Sequence, residues 1–229
     1  MKILCIADIH GELDFVSKAG KFAKKQGIKD IIILGDFPAY GKFRDVRHEL
    51  KNVEYVLRTL KELNLNVLAI PGNCDSREIL ELFEKFNVNL HDKVRDIYGT
   101  RFVGLGGSNP TPFNTPFDLS EEEIYIKLKE NMEKCRAKNK NIVLITHVPP
   151  KDTRCDNARR GHVGSVSVRK IIEEFRPDLA VCSHVHECGG TTDKIGKTTV
   201  ANIGTLAETR CGIIDAGTLD IELKLMQIG

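Results

Sequence analysis

Six short apolar runs in this chain each end on a side chain that can bind a metal ion or lie beside one. The runs are rich in Ile and Val and are bounded by Gly, Pro or polar residues, a pattern typical of buried strands. The side chains that follow them are Asp8, His10, Asp36, Asn73, His147, His184, His186 and Asn202. In open α/β sheets, ligands bind at the carboxyl ends of the strands. We therefore expect these side chains to converge on one pocket.

Two pairs in this set have a spacing that suits a shared site. Residues i and i+2 of an extended chain point to the same side, so Asp8 can act with His10, and His184 with His186. Three other strands contribute one ligand each, namely Asp36, Asn73 and His147. A lone Asp or His at a strand end is usually a cap or a loop residue, but this explanation does not suit so many at once. Oxygen and imidazole donors in this number suit two divalent ions that share one carboxylate.

Five motifs at these positions resemble the motifs of the calcineurin-like metallophosphoesterases, in their usual order and across nearly the whole chain. They are Asp8-Ile9-His10, Gly35-Asp36, Gly72-Asn73-Cys74-Asp75, Thr146-His147 and Ser183-His184-Val185-His186. The stretch from Thr146 to Glu187 is further similar to the small prokaryotic Icc-related branch of that superfamily. The match is specific because it involves several motifs in a fixed order.

The resemblance implies a fold and a set of metal ligands. The implied fold is α/β, a four-layer α-β-β-α sandwich of two mixed sheets flanked by helices. A length of 229 residues suits one such domain over residues 1–229. One metal would be held by Asp8, His10, Asp36 and His186. The second would be held by Asp36, Asn73, His147 and His184, with Asp36 as the bridge.

A site of this kind is suited to phosphoester hydrolysis. Two divalent ions about 3.5 to 4 Å apart activate a bridging water, neutralise phosphate oxygens and align the nucleophile with the leaving group. Imidazole and carboxylate ligands suit Mn, Fe, Co, Ni or Zn. We expect a phosphodiesterase that acts through the metal-activated hydroxide, on cyclic nucleotides or on other small phosphate esters. The alternative is a non-catalytic metallophosphoesterase-fold scaffold for protein–protein interaction.

Two further residues are candidates for protonating the leaving group. Many members of the family have a histidine after the Asn of the third motif, where this chain has Cys74, a weak donor at neutral pH. Cys74 is therefore also the main support for the scaffold alternative. His162 lies in a loop flanked by glycines and can replace the missing histidine as the catalytic acid. A surface loop residue or part of a subunit contact is an equally good interpretation of His162.

The composition excludes several other classes of protein. A formal net charge of +2, with basic residues scattered along the chain, argues against a nuclease and against nucleic acid as a partner. No apolar run approaches the roughly 18 residues of a membrane span. We expect a cytoplasmic protein that binds a small phosphate ester and no membrane. Seven cysteines without a Cys-x-x-Cys pair argue against a disulfide scaffold. The sequence leaves homo-oligomerisation open.

Helical patterns separate the apolar runs. The sequence predicts helices over residues 14–26, 46–63, 75–86, 120–136 and 164–175. The third helix is expected to begin with a capping box of Asp75 and Glu78, and the fourth with one of Ser120 and Glu123. Three prolines in residues 109–117 predict an irregular loop, which is often functional in a compact domain. The tail after residue 198 predicts at least two strands joined by a turn at residues 215–217.

Overall fold

Strands and helices alternate along the chain in the computed structural model, which describes residues 1–39, 41, 45–135, 140–159 and 161–227. The helices are α1 (Leu13–Lys25), α2 (Val46–Glu62), α3 (Ile79–Lys85), α4 (Glu121–Cys135) and α5 (Val166–Phe175). The strands are β1 (Lys2–Ile6), β2 (Asp30–Ile33), β3 (Asn66–Ala69), β4 (Lys93–Ile97), β5 (Thr100–Leu105), β6 (Ile142–Thr146), β7 (Asn157–Ala158), β8 (Gly161–His162), β9 (Leu179–Cys182), β10 (Thr191–Ile195), β11 (Thr198–Asn202), β12 (Arg210–Asp215) and β13 (Ile221–Leu225).

Eleven of these strands form two large mixed sheets. The first sheet has the order β13-β12-β1-β2-β3, and the second has the order β10-β11-β9-β6-β5-β4. Strands β1, β2 and β3 are parallel to one another, as are β5, β6, β9 and β11. The antiparallel pairings involve β12 and β13 on one side of the first sheet and the edge strands β10 and β4 of the second sheet. The carboxyl ends of the parallel strands are therefore grouped within each sheet, which is where ligands bind in folds of this type.

Successive side chains of each strand point to opposite faces of its sheet, and this divides the core into three apolar layers. Ile3 and Cys5 of the first sheet pack with Val143 and Ile145 of the second sheet in the layer between the sheets. The opposite face of the first sheet packs on α1, α2 and α3, and the opposite face of the second sheet packs on α4 and α5. Each fully buried aliphatic side chain stabilises this arrangement by about 1.5 to 3 kcal/mol relative to exposure. The four-layer α-β-β-α sandwich implied by the resemblance is confirmed.

The beginning of α4 agrees with the prediction, whereas the beginning of α3 does not. The amide of Ser120 donates to the Glu123 carboxylate at 2.8 Å and the amide of Glu123 donates back to the Ser120 hydroxyl at 3.1 Å, which is the predicted capping box. Helix α3 begins at Ile79, and no side chain among the described residues caps it. The carboxylate of Asp75 is buried and instead accepts from the amide of Gly72 in its own loop and from the amide of Asp36 in another loop, so the prediction for Asp75 is wrong.

Five strands are absent from the sequence prediction, namely β4, β5, β7, β8 and β10. Strands β4 and β5 form a hairpin whose two turn residues, Tyr98 and Gly99, have φ angles of 50° and 82°. Such turns are most easily identified when they contain Asn-Gly or Asp-Gly, and Tyr-Gly is a much weaker signal. The predicted end of the fourth helix, Arg136, lies outside the described residues. One domain over residues 1–229 stays a prediction.

Candidate metal centre

The predicted ligands meet where parallel strands of both sheets end. One group contains Asp8, His10 and His186, whose ligand atoms all lie within 4.8 Å of one another. A second group contains Asp36, His147 and His184, again with all ligand atoms within 4.8 Å. The amide oxygen of Asn73 adds to this second group, because it lies 3.1 Å from Nε2 of His147. The structure therefore brings together all seven residues that the sequence suggested, in the two predicted groups.

One oxygen of Asp36 lies between the two groups. Its Oδ2 atom is 3.6 Å from Nε2 of His10 and 3.5 Å from Nε2 of His147. Ligand atoms that surround one ion at about 2.0 to 2.2 Å lie roughly 3 to 3.6 Å from each other, so these separations leave space for an ion on either side. Oδ2 of Asp8 is likewise 3.6 Å from Nε2 of His186. Asp36 thus has the position of a bridging carboxylate.

A test of whether the site fits cations comes from its unsatisfied polar atoms. Oδ1 of Asp8 is buried and has no hydrogen-bond partner among the residues that the structure describes. A buried carboxylate oxygen without a donor is costly unless a cation completes its surroundings. The ring orientations agree, because Nδ1 of His10 donates to the carbonyl of Pro38 at 3.2 Å and Nδ1 of His147 to that of Leu34 at 2.6 Å. Both Nε2 atoms are thereby left to face the centre, as is usual for metal-ligating histidines.

The pKa values in the centre reflect burial and the close approach of unlike charges. Burial opposes ionisation of Asp36, but the imidazoles of His147, His10 and His184 outweigh it and hold the pKa of Asp36 well below its usual range. Burial lowers the pKa of His147, yet the neighbouring Asp36 carboxylate reverses this effect and raises it to about 9. Burial lowers the pKa of His184 to about 4. Because a metal ion binds the neutral imidazole, cations and protons compete for His147.

Four of the ligands have backbone angles that are uncommon for side chains with a Cβ. The φ angles are 50° at Asp8, 44° at His10, 56° at Asp36 and 67° at His184. Left-handed backbone at a non-glycine residue carries strain, which persists only when the surroundings enforce it. Two backbone hydrogen bonds do so, from the amide of Asp8 to the carbonyl of Gly35 at 3.0 Å and from the amide of His10 to the carbonyl of Asp36 at 2.8 Å.

The carboxylate of Asp75 holds two of the ligand loops against each other. Its Oδ2 atom accepts hydrogen bonds from the amides of Asp36 at 2.9 Å and Gly72 at 2.6 Å, and its Oδ1 atom accepts from Phe37 at 2.8 Å. A Cβ atom on Gly72 would lie 2.0 Å from Oδ1 of Asp36, so only glycine allows this approach. Sequence reasoning missed this role of Asp75, since the available signal was only its place in the third motif.

The orientation of the Asn73 amide is fixed by the proline-containing loop. Nδ2 of Asn73 donates to the hydroxyl of Thr115 at 3.0 Å, and this hydroxyl donates in turn to the carboxylate of Asp118. The amide oxygen of Asn73 is consequently the atom that faces the metal centre. The loop over residues 109–117 has no helix or strand, as predicted, and supports a ligand. Neither Thr115 nor Asp118 was identified from the sequence.

Asn202 holds the loop that carries the last two histidines. Its Nδ2 atom donates to the carbonyls of Ser183 at 3.2 Å and Val185 at 3.0 Å, on both sides of His184. It also donates to the carbonyl of Cys155 at 3.1 Å. Asn202 is fully buried and therefore supports the ligand loop without itself being among the grouped ligand atoms.

A cleft of about 680 Å³ opens next to His184 and His186. Its walls include the proline-containing loop, with the ring of Phe113 72% exposed, and the segment that carries His162. Cys74 is half-buried next to the centre, where burial and then the negative charges of Asp36 and Asp75 raise the pKa of its thiol. The thiol is therefore neutral at physiological pH.

The sequence and the fold are similar to those of known proteins. The chain belongs to the calcineurin-like phosphoesterase family, whose model matches residues 1–188, so the predicted resemblance is confirmed. It is 40% identical over 210 residues to the uncharacterized protein MJ1162 of Methanocaldococcus jannaschii, with 88% of this chain and 87% of that protein covered.

Two solved structures share the fold at low sequence identity. A dimetal phosphatase from Danio rerio has a TM-score of 0.68 and 12% identity, and the match covers 97% of this chain and 98% of that one. A novel archaeal phosphodiesterase has a TM-score of 0.57 and 16% identity, and the match covers 99% and 100% of the two chains. At these identities the similarity concerns the fold alone.

None of the helices among the described residues is both long enough and apolar enough to cross a bilayer.

Proposed function

We propose that this protein is a dinuclear metal-dependent phosphoesterase that hydrolyses small phosphodiesters. The observation that carries the proposal is the position of Asp36, whose Oδ2 atom lies within 3.6 Å of an imidazole nitrogen from each ligand group. Membership of the calcineurin-like phosphoesterase family supports phosphoester hydrolysis as the reaction. When bound, two divalent ions would supply activation of water and neutralisation of phosphate charge.

The residues of the chain have separate roles in this proposal. One ion would be held by Asp8, His10, Asp36 and His186, and the other by Asp36, Asn73, His147 and His184. Mn, Fe, Co, Ni and Zn all suit this mixture of imidazole and oxygen donors. The cleft beside His184 would bind the ester, with Lys151 and Arg159 in its lining to attract the phosphate. His162 and Cys74 remain the two candidates for protonating the leaving group.

A diester substrate agrees with the character of the cleft. Apolar groups of Pro110, Phe113 and Val163 line it, next to the two basic side chains. A diester has one negative charge and two organic groups, whereas a monoester has more charge and one organic group. The scaffold alternative is less favoured, because seven good ligands arranged around two positions have no purpose in a scaffold.

The proposal can be tested with metal-free protein reloaded separately with Mn, Fe, Co, Ni or Zn. We expect no hydrolysis of bis(4-nitrophenyl) phosphate without metal, hydrolysis with at least one of these metals, and two bound ions per chain. The kcat/KM for this diester should exceed that for 4-nitrophenyl phosphate by about 10-fold or more, since the proposed cleft accepts a second organic group. Two bound ions without activity in any metal form would instead support the scaffold.

A further inference from the structure

A small hairpin of β7 and β8 forms part of the cleft wall next to the metal centre. His162 is the last residue of this hairpin, and its side chain is 40% exposed. The cleft that His162 lines is also lined by His184 and His186 of the two ligand groups. An ester bound with its phosphate at the metal centre would therefore extend into the cleft that His162 lines.

The imidazole of His162 forms a hydrogen bond with a carboxylate that is fully buried. Its Nδ1 atom lies 2.8 Å from Oδ1 of Asp156, and Asp156 is 0% exposed. An ionised carboxylate only accepts hydrogen bonds, so Nδ1 is the donor in this pair. Nε2 is then the ring nitrogen that can exchange a proton with a molecule in the cleft.

The carboxylate of Asp156 is held in place by the backbone around it. Its Oδ1 atom also accepts from the amide of Thr153 at 2.8 Å, while Oδ2 accepts from the amides of Gly164 at 3.0 Å and Asp152 at 3.2 Å. Within the described part of the chain, no Lys or Arg forms an ion pair with this carboxylate. Among the described residues, His162 is therefore the basic side chain that contacts this carboxylate.

We propose that Asp156 positions His162 to donate the Nε2 proton to the leaving oxygen of the ester. This inference rests on the proposed function. An oxygen from water forms a bond to phosphorus and gives up its proton to solvent, and the bond from phosphorus to the leaving oxygen breaks. The leaving oxygen takes the Nε2 proton and departs as an alcohol. His162 recovers a proton from solvent, and Asp156 remains ionised throughout, holding the ring in one tautomer and orientation.

The test compares two diesters that differ in their need for a proton. Methyl 4-nitrophenyl phosphate has a leaving group that departs unaided, whereas methyl 2-phenylethyl phosphate must release an alkoxide. His162→Ala should lower kcat/KM for the second ester by about 10² to 10⁴-fold and change the first by less than about 3-fold. Asp156→Asn should show the same selectivity with a loss of about 10-fold or more. Free imidazole should restore part of the alkyl-ester activity to His162→Ala but not to Asp156→Asn.

Two variants provide matched controls. Asp152→Asn removes an exposed carboxylate from the same loop, and His48→Ala removes an exposed histidine from α2. Neither should change the ratio of the two kcat/KM values. A readout independent of catalysis is the proton NMR signal of Nδ1 in protein with 15N-labelled histidine. We expect a downfield signal from His162 in the metal-free protein, and its loss in Asp156→Asn.

The possible failures are distinguishable. An equal loss on both esters in Asp156→Asn would mean that Asp156 only shapes the loop, and this would overturn its positioning role. An unchanged ratio in His162→Ala would show that His162 is not the donor. If the wild-type protein hydrolysed neither ester with any of the five metals, the proposed function would fail as a whole, and the donor role with it.

Discussion

The metal centre and the wall of the adjacent cleft are built in different ways. Each predicted metal ligand follows a strand within a few residues, so its position is set by a sheet that is buried on both faces. The cleft wall consists mainly of two segments, residues 109–118 and residues 151–164, whose described residues contain no helix and no strand longer than the two-residue β7 and β8. The shape of each loop depends on one carboxylate, Asp118 in the first and Asp156 in the second.

This difference has consequences for function. A ligand at a strand end is supported by many packed residues, whereas a loop held by a few hydrogen bonds depends on contributions of about 1 kcal/mol each. Substitutions at the centre should therefore remove metal binding and activity together. Substitutions in the wall should alter the orientation of single groups and leave most of the fold intact.

The largest effect is expected at the carboxylate between the two ligand groups. Asp36→Asn should lower kcat/KM by about 10³-fold or more and reduce the number of bound ions below two, because one oxygen serves both sites. Enzyme kinetics and elemental analysis of the purified variant would measure this. Asp30→Asn, at the opposite end of β2, should retain both ions. A fully active Asp36→Asn variant with two ions would contradict the bridging role.

A smaller effect is expected where the loop meets the metal centre. Thr115→Val keeps the shape of the side chain but removes the hydroxyl that holds the Asn73 amide. Affinity at the Asn73 site should fall by about 10-fold, as is usual when a group that orients a ligand is lost. Affinity at the Asp8 site should not change. Calorimetric titration of the metal-free protein would separate the two sites, with Thr59→Val on α2 as the control. Equal weakening of both sites would indicate a general disturbance of the loop.

The residues that could be identified from the sequence are those whose position follows from the strand next to them in the chain. The pairs Asp8 with His10 and His184 with His186 are visible because each follows one apolar run with a spacing of two. The roles of Asp75 and Thr115 are not visible in this way, because their partners Asp36 and Asn73 lie in loops that only the folded chain brings near. The partners of Asp156 all lie within eight residues of it, but they belong to an irregular loop that has no periodic sequence pattern. Asp75 was mistaken for a helix cap because its local sequence fits a capping box, while its actual partners include Asp36, 39 residues away.

The fold was predictable to a similar extent and for similar reasons. The strands that carry ligands are continuous apolar runs, and their helices have a clear apolar stripe. Strand β5 contains Gly104, which usually weakens a strand assignment. The structure requires glycine there, because a Cβ atom would lie 2.5 Å from the carbonyl oxygen of Leu90. Gly104, which argued against a strand in the sequence, is therefore required by the tight packing of β5 against the segment that contains Leu90.

The smallest expected effect concerns a buried acid next to the centre. Glu49 of α2 is 1% exposed, and burial raises its pKa from 4.5 to about 7 despite a hydrogen bond from the amide of Ser76 at 2.8 Å. Its Oε2 atom has no hydrogen-bond partner within the described part of the chain. Between pH 4.5 and 7 the folded protein therefore retains a proton that the unfolded chain has released. The free energy of unfolding should fall as the pH rises through this window, by at most about 1.4 kcal/mol per pH unit.

Glu49→Gln should remove this contribution, because a neutral amide does not titrate. Urea unfolding of the metal-free protein at several pH values between 4.5 and 8 would measure it. Burial also raises the pKa of Asp75, so Glu49 is not expected to account for the whole pH dependence of the unfolding free energy of the wild-type protein. The informative quantity is the difference in slope between the wild type and Glu49→Gln. The control is Glu54→Gln on the same helix, because a hydrogen bond from Arg58 lowers the pKa of the half-buried Glu54. Identical slopes for the wild type and Glu49→Gln would mean that the Glu49 carboxyl ionises in the folded protein as easily as in the unfolded chain. In that case the helix beside the metal centre would be open to water, and the contrast between a rigid centre and a less rigid cleft wall would be smaller than the structure indicates.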